Sequence, residues 1–274
     1  MWTKRDHLYW NQLMDWEQQL VSSRGNETEE NDALDRITAF MTDDMQDRFF
    51  MQVDQSIEWI HSFLQKEMLQ TEVRGRILLT ARIFRDDIET VEQLRSLTID
   101  QLHYISRQQA SRNHAAAAVQ GAITGTGSLV PIAADLLSMT AIGLHAIQTN
   151  TLSYGFDPSH PIEKENILHL FHVSLLPDHL KADGWAQLIT EVEEGIASIS
   201  DGSWAMDKTM LQEPLRHALK LAAVRTLRHQ TISGVPLISM AIGAGANYRA
   251  VKQMTTFAER YYQYRYLHEK KNRS

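Results

Sequence analysis

Two stretches of this sequence carry no Lys, Arg, Asp or Glu, and they constrain the fold more than any other feature. The first runs from Asn113 to Ala134 and the second from His229 to Tyr248. Each is about as long as a membrane-spanning helix, which needs roughly 20 residues. Both are rich in Gly, Ala, Ser and Thr rather than Leu and Ile. They are therefore marginal as membrane spans, and we expect two helices that pack at the centre of a protein; insertion as a helical hairpin is the alternative.

The rest of the chain carries the apolar spacing of amphipathic helices. Thr98 and Gln101 have the spacing of a capping box, which marks a helix start. The alternation typical of strands is almost absent. The sequence therefore predicts an all-α protein, a compact multi-helix bundle with two central Gly/Ala-rich helices. Two stripes with the spacing i, i+4, i+7 and i+11 support this: Tyr9, Leu13, Trp16 and Leu20, and Val53, Ile57, Ile60 and Leu64.

Prolines in the two uncharged stretches mark further helix starts. Pro131 and Pro236 each follow a valine and precede an aliphatic residue. Proline is tolerated in the first turn of a helix because its missing N–H would be unpaired there. We therefore expect helices to begin near both prolines. The chain divides into an N-terminal helical region, residues 1–92, and a helical core with a basic tail, residues 93–274, unless the two form one continuous domain.

Composition excludes several classes of function. The chain has no cysteine, which rules out disulfides, thiolate metal sites and cysteine nucleophiles and suits a reducing cytosol. The first ten residues lack the apolar run of a signal peptide, so we expect a cytoplasmic protein. The net charge of −7 argues against nucleic acid as a partner. Residues 249–274 nevertheless carry seven basic and two acidic residues, so the molecule is polarised.

The order and spacing of several motifs resemble the EcsC family of bacterial proteins. These are the glycine-rich GAITGTG from Gly121 to Gly127, VPIAADLLSM, YGFDP from Tyr154 to Pro158, and GVPLISMAIGAGANY followed by Arg249. The resemblance covers roughly residues 95–267. It implies an all-helical protein whose partners are subunits of an ABC transporter. Because no reaction is established for the family, the resemblance brings no catalytic residues and no cofactor.

The uncharged stretches supply the candidate packing and interaction residues. Glycines allow helices to approach closely. The alternative interpretation is a phosphate-binding loop, but the GxGxxG motif and the P-loop lysine are absent. Asp135 is a helix N-terminal acid or a buried carboxylate that pairs with Asn247 or Arg249. The full set of candidates is Gly121, Gly125, Gly127, Pro131, Asp135, Pro236, Gly243, Gly245, Asn247 and Arg249.

Neither a metal site nor a catalytic site is expected. Glu165, His169 and His172 lie on one face of a helix, and such groups can bind zinc. However, the HExxH motif is absent, and the surrounding window is apolar almost all round. We therefore interpret the histidines as structural. No GxSxG elbow is present to support a hydrolase serine.

The basic tail offers a candidate membrane contact. It interleaves tyrosines with basic residues, a pattern that suits an anionic lipid surface or a C-terminal helix whose tyrosines pack inward. We expect an accessory protein without enzymatic activity that acts beside an ABC transporter or its membrane; a carrier of a lipid or small hydrophobic ligand is the alternative. The candidate membrane contacts are Arg260, Arg265, Lys270, Lys271 and Arg273.

Overall fold

The computed structural model describes residues 2–22, 51, 68–124, 132–193 and 236–272. This part of the chain forms seven α-helices and one short 3₁₀-helix, and it contains no strand, which confirms the predicted all-α class. The helices are α1 (Lys4–Ser22), α2 (Met68–Ala81), α3 (Ile99–Thr124), α4 (Ile132–Ser153), α5 (Pro161–Leu175), α6 (Asp178–Glu193) and α7 (Pro236–Asn272), with the 3₁₀-helix at Glu92–Ser96.

Local sequence signals place several helix ends. The backbone N–H of Thr98 donates to Oε1 of Gln101 at 2.9 Å, and the N–H of Gln101 donates back to the Thr98 hydroxyl. This is the predicted capping box, and α3 begins one residue later. Helix α7 begins at Pro236 and α4 begins directly after Pro131. The two proline predictions are therefore confirmed to within one residue.

The long helix α7 is the centre of the bundle. It packs most extensively against α3, then against α4 and α5, and it also touches α1 and α6. Between Tyr261 and Leu267 every residue of α7 is buried. Neighbours therefore surround this part of the helix on all sides, which leaves no solvent-facing stripe.

The two uncharged stretches meet where α3 lies along α7. The rings of His114 and Tyr248 are in edge contact with centroids 5.4 Å apart. Ala117 of α3 and Val251 of α7 share a small buried cluster with Ala146 of α4. The described parts of both stretches thus touch each other, as the sequence predicted, but they do not lie at the centre of the bundle, because Val119 is 61% exposed and Tyr248 is 37% exposed.

The amino-terminal helices belong to the same core as the rest of the protein. Tyr9 and Leu13 of α1 are buried in it, and Trp16 and Leu20 pack against it, so the first predicted stripe faces inward. Val73 and Ile77 of α2 join the same cluster, which extends to Leu267 of α7. The second predicted stripe, Val53, Ile57, Ile60 and Leu64, lies outside the described residues.

Candidate ligand pocket and interaction surface

The YGFDP motif forms the sharp turn that ends α4. The N–H of Gly155 donates to the carbonyl of Leu152 at 3.0 Å, and the N–H of Phe156 donates to the carbonyl of Thr151 at 3.1 Å. This pair of bonds is a Schellman motif, which needs a left-handed residue at its turn. Gly155 supplies it with φ of +83°. The turn projects Phe156 into the core, where it is 1% exposed.

Arg95 of the 3₁₀-helix lies against this turn. Its Nε donates to the carbonyl of Gly155 at 2.9 Å, and its guanidinium carbon lies 4.1 Å from the centroid of the Phe156 ring. Arg265 of α7 approaches the same ring at the same distance. Cations are attracted to the face of an aromatic ring at such distances. Phe156 therefore fixes the position of two guanidinium groups.

The second of these guanidiniums belongs to a buried ion pair. Nη1 of Arg265 donates to both carboxylate oxygens of Glu163 on α5, at 2.8 and 2.9 Å. The hydroxyl of Tyr262 also donates to Glu163, and it accepts a hydrogen bond from Thr151. Burial alone would lower the pKa of Arg265, but the Glu163 carboxylate together with Tyr261 and Tyr262 raises that pKa above its ordinary value. Arg265 is therefore charged inside the protein.

A pocket of about 260 Å³ opens beside Phe156, between the 3₁₀-helix and the last turns of α7. Its volume is below the range of about 300–1,000 Å³ typical of sites for drug-sized molecules, so it suits only a small group. The charged side chains of its wall are about one-third exposed. We call this the C-terminal pocket. Its lining residues are Arg95, Ser96, Leu97, Thr98, Phe156, Tyr266, Glu269 and Lys270.

Lys270, in the wall of the pocket, ties the last helix to the first. Its ammonium donates to Oδ2 of Asp6 at 2.7 Å, and Asp6 is 1% exposed. Asp6 also accepts hydrogen bonds from the N–H and the hydroxyl of Thr3, and its own N–H donates to that hydroxyl, which caps α1. Burial alone would raise the pKa of Asp6, but Lys270 and Thr3 together lower it below the ordinary 3.8.

Tyr266 forms a rigid part of the pocket wall. Its hydroxyl donates to the carbonyl of Leu97 at 2.7 Å. Burial, reinforced by the nearby Asp6 carboxylate, raises the pKa of Tyr266 to about 12, so the phenol keeps its proton at neutral pH. The ring is therefore held in place at the base of the last turn of α7.

A second feature is an apolar surface where α2 and α3 meet. Ile83 is 77% exposed, Leu79 is 64% exposed and Tyr104 is 54% exposed. The ring of Phe84 packs edge-on against Tyr104 with centroids 5.8 Å apart. Contiguous exposed apolar side chains mark interaction sites more often than isolated ones do. We call Leu79, Ile83, Phe84 and Tyr104 the α2–α3 patch.

Within the basic tail, the structure contradicts a membrane contact for Arg265. Arg265 is 4% exposed and paired with Glu163, so it cannot contact a membrane surface. Lys270 is held by Asp6, and Arg260 is partly buried and donates to Gln263. Lys271 is exposed, and Arg273 lies outside the described residues. The four tail tyrosines are buried: Tyr261, Tyr262, Tyr264 and Tyr266.

The predicted packing residues are only partly described. Asn247 is buried and Arg249 is exposed. A Cβ built on Gly245 would meet no atom within 4 Å in the described part of the chain, so no close approach among those residues requires this glycine. Among the described residues, close approaches occur instead at Gly143 of α4, where a Cβ would overlap the side chain of Met254 on α7, and at Gly184 of α6, where it would lie 2.9 Å from Cδ1 of Leu176. The remaining candidates lie outside the residues whose side chains are described: Gly121, Gly125, Gly127, Pro131, Asp135, Pro236 and Gly243.

The candidate zinc residues have a different arrangement. Nδ1 of His169 lies 3.2 Å from a carboxylate oxygen of Glu191 on α6. The described residues contain no group of three His, Asp or Glu side chains that could hold a metal ion. A search of the same residues finds no helix with the length and apolarity of a membrane span.

Sequence reasoning missed most of the pocket. Arg95 and Glu269 carry no local motif, and their neighbourhood depends on how the 3₁₀-helix meets α7. The YGFDP motif was the available signal, since a glycine followed by an aromatic residue after a helix is typical of a Schellman turn. It marks the position of Phe156 but not the two arginines that lie against its ring.

Comparison with known proteins agrees with the motif resemblance. The EcsC protein family model matches residues 8–267, nearly the whole chain. An uncharacterized protein of Bacillus subtilis (strain 168), YdbA, is 24% identical over 134 residues, which are 48% of this chain and 49% of that protein. This match therefore spans about half the length of the relative. No solved structure matches.

Proposed function

Because this chain belongs to the EcsC protein family, we propose that it is a non-catalytic accessory protein that binds a subunit of an ABC transporter through the α2–α3 patch. The observation that carries this proposal is the exposure of the patch. Ile83 and Leu79 leave most of their surface in water, which costs roughly 25 cal/mol per Å² of apolar area. A partner that covers the patch recovers that free energy.

The make-up of the patch suits a protein partner. Tyr104 presents a large ring with a polar tip, and Phe84 holds it from the side, so little side-chain entropy is lost on binding. Aromatic side chains of this kind dominate the energetics of protein interfaces. The transporter as the source of the partner rests on the family resemblance.

The test is site-specific photo-crosslinking in cells with a crosslinker at position 83. The control places the same crosslinker at Val21 of α1, an exposed apolar residue away from the patch. We expect position 83, and not position 21, to yield a covalent product that mass spectrometry identifies as an ABC-transporter subunit. Equal products at both positions would contradict the proposal, as would a position-83 product joined only to residues 23–67 of the same chain.

The C-terminal pocket favours a second function, the binding of a small ligand. This is related to the carrier alternative, but the ligand differs, because the pocket wall carries three charged side chains beside its apolar ones. Equilibrium dialysis of the purified chain against small polar ligands tests it. If the chain retains none of these ligands, the ligand-binding function is rejected and only the accessory function remains proposed.

A further inference from the structure

The solvent-facing side of α3 changes character along its length. Residues three and four positions apart lie on one face of a helix, and the exposed residues of α3 beyond its first turn follow this spacing. The face passes from an aromatic ring of the α2–α3 patch, through arginines, to a small apolar end. Its exposed residues are, in order, Tyr104, Arg107, Gln108, Ser111, Arg112, Ala115, Ala116 and Val119.

The exposed side of α7 lies next to the apolar end of this face. The ring of Tyr248 is 37% exposed and is in edge contact with the ring of His114 on α3. Arg249 follows Tyr248 directly and Lys252 lies one turn further along, and both are exposed. Burial, reinforced by the charges of Lys252 and Arg107, lowers the pKa of His114. Positive charges from both helices therefore come within range of one imidazole.

The exposed side chains at this end of the two helices form one surface, which we call the α3–α7 face. Its apolar tip consists of Ala115, Ala116, Val119 and Tyr248, and its basic collar consists of Arg112, Arg249 and Lys252.

Acids on the same helices do not balance the basic collar. Every charged residue of α3 after Asp100 is basic, and so is every charged residue of α7 before Glu259. The one acid of the neighbouring α2, Glu72, is paired with Arg76. The side chain of Asp135, the acid of α4, lies outside the described residues. In a protein with a net charge of −7, this local positive charge favours an anionic partner.

A lipid surface suits both parts of the face. Basic side chains near a membrane are attracted to anionic headgroups, and tyrosine is enriched at the boundary between headgroups and acyl chains. Val119, 61% exposed, is an apolar side chain that such a boundary covers. A nucleic acid would use the basic collar but would leave Val119 in water. An apolar protein surface would cover the tip but would leave the cations of the collar unbalanced.

We infer that the α3–α7 face docks the protein on an anionic phospholipid surface, with the apolar tip at the headgroup boundary and the basic collar among the phosphates. Val119 lies 15 residues after Tyr104 on α3, which is roughly 22 Å at a rise of 1.5 Å per residue. The α2–α3 patch therefore stays clear of the lipid. The inference does not depend on the transporter as partner, because it concerns another surface and lipid alone.

Co-sedimentation of the purified chain with phosphatidylglycerol vesicles tests the basic collar. We expect binding to these vesicles and little binding to phosphatidylcholine vesicles. Arg249→Gln combined with Lys252→Gln should lose at least about tenfold in affinity, since a basic residue near an anionic surface contributes roughly fivefold. Lys4→Gln combined with Lys164→Gln is the matched control: it removes the same charge from α1 and α5, and should change the affinity by less than about twofold, because distant charges are screened by salt.

A fluorescent probe tests the apolar tip, since the chain has no native cysteine. Val119→Cys and Val21→Cys place the same environment-sensitive dye, NBD, at exposed positions of α3 and α1. We expect the emission of the dye at position 119 to gain intensity and shift to shorter wavelength when phosphatidylglycerol vesicles are added, because the dye leaves water. The emission of the dye at position 21 should stay unchanged.

Several results would overturn the inference: no sedimentation with phosphatidylglycerol vesicles, an equal loss of affinity in the control pair, or a dye at position 119 that does not respond. A single-stranded oligonucleotide that binds more tightly than the vesicles would identify nucleic acid as the partner of the collar instead. A dimer that forms without vesicles and that Val119→Glu dissociates would mean that a second copy of the chain covers the tip. None of these results bears on the crosslinking test of the transporter proposal.

Discussion

Arg265 donates two hydrogen bonds from one nitrogen, Nη1, to the carboxylate of Glu163, and both side chains are less than one-tenth exposed. The pair joins the C-terminal part of α7 to the first turn of α5. A buried charge without a partner is far more costly than a buried pair. The two residues therefore act on stability as a unit.

Glu163→Gln should destabilise the protein by about 3–5 kcal/mol, because it leaves the Arg265 charge buried without a counter-charge. Urea unfolding followed by circular dichroism measures the change in free energy.

The double variant Glu163→Met with Arg265→Met is the control, since replacing both charges by apolar groups of similar volume is often close to neutral. This double variant should recover most of the unfolding free energy that Glu163→Gln loses. A double variant as unstable as Glu163→Gln would show that the pair is not the cause.

Gly155→Ala should destabilise the protein by about 1–3 kcal/mol, because alanine is strained at positive φ. Its Cβ would also lie 2.8 Å from Cγ of Arg95 and 3.1 Å from the carbonyl oxygen of Val91. Thermal unfolding measures the effect. Gly75→Ala is the matched control: it lies in α2, where a Cβ meets nothing within 4 Å, and should stabilise by about 0.5–1 kcal/mol. Equal effects at the two glycines would refute this account of the turn.

Gly245→Ala should stabilise the protein by about 0.5–1 kcal/mol, because alanine favours the helix and the described surroundings leave room for a methyl group. Gly143→Ala should instead destabilise it by about 1–3 kcal/mol, since the added methyl overpacks the core against Met254. Denaturant midpoints of the two variants give the comparison. A loss of stability in Gly245→Ala would restore that residue to the role of a close-packing glycine.

Asp6→Asn should destabilise the protein by roughly 1–3 kcal/mol at neutral pH, because the Asp6 carboxylate holds the Lys270 ammonium and caps α1. The pKa of Asp6 is lowered on folding, so its contribution is present above pH 3.8 and is lost as pH falls through the lower, folded-state value. The difference in unfolding free energy between the wild type and Asp6→Asn should therefore become smaller below pH 3.8.

Unfolding free energies measured from pH 7 to pH 3 check this dependence. Asp15→Asn, at an exposed carboxylate on the same helix, should have a small effect throughout. If the difference in unfolding free energy between the wild type and Asp6→Asn stays constant down to pH 3, the carboxylate charge is not what stabilises this contact.

The helices and several of their ends could be predicted because their causes are local. The capping box of Thr98 and Gln101, the proline at the start of α7 and the stripe through Tyr9 and Leu13 each depend on residues within three or four positions. The contact between the uncharged stretches, seen at His114 and Tyr248, also followed from sequence, since small residues without charge allow helices to approach closely.

Only the tertiary structure decided which charges are buried. Arg265 and Lys271 are both basic residues of the same tail, and the sequence does not distinguish them. Arg265 is nevertheless paired inside the core, whereas Lys271 is exposed. The difference arises because α1, α3, α4 and α5 pack round α7 and bring Glu163 to Arg265 and Asp6 to Lys270 from distant parts of the chain. Helical periodicity fixes which residues share a face, but the partner that covers each face is set by long-range packing.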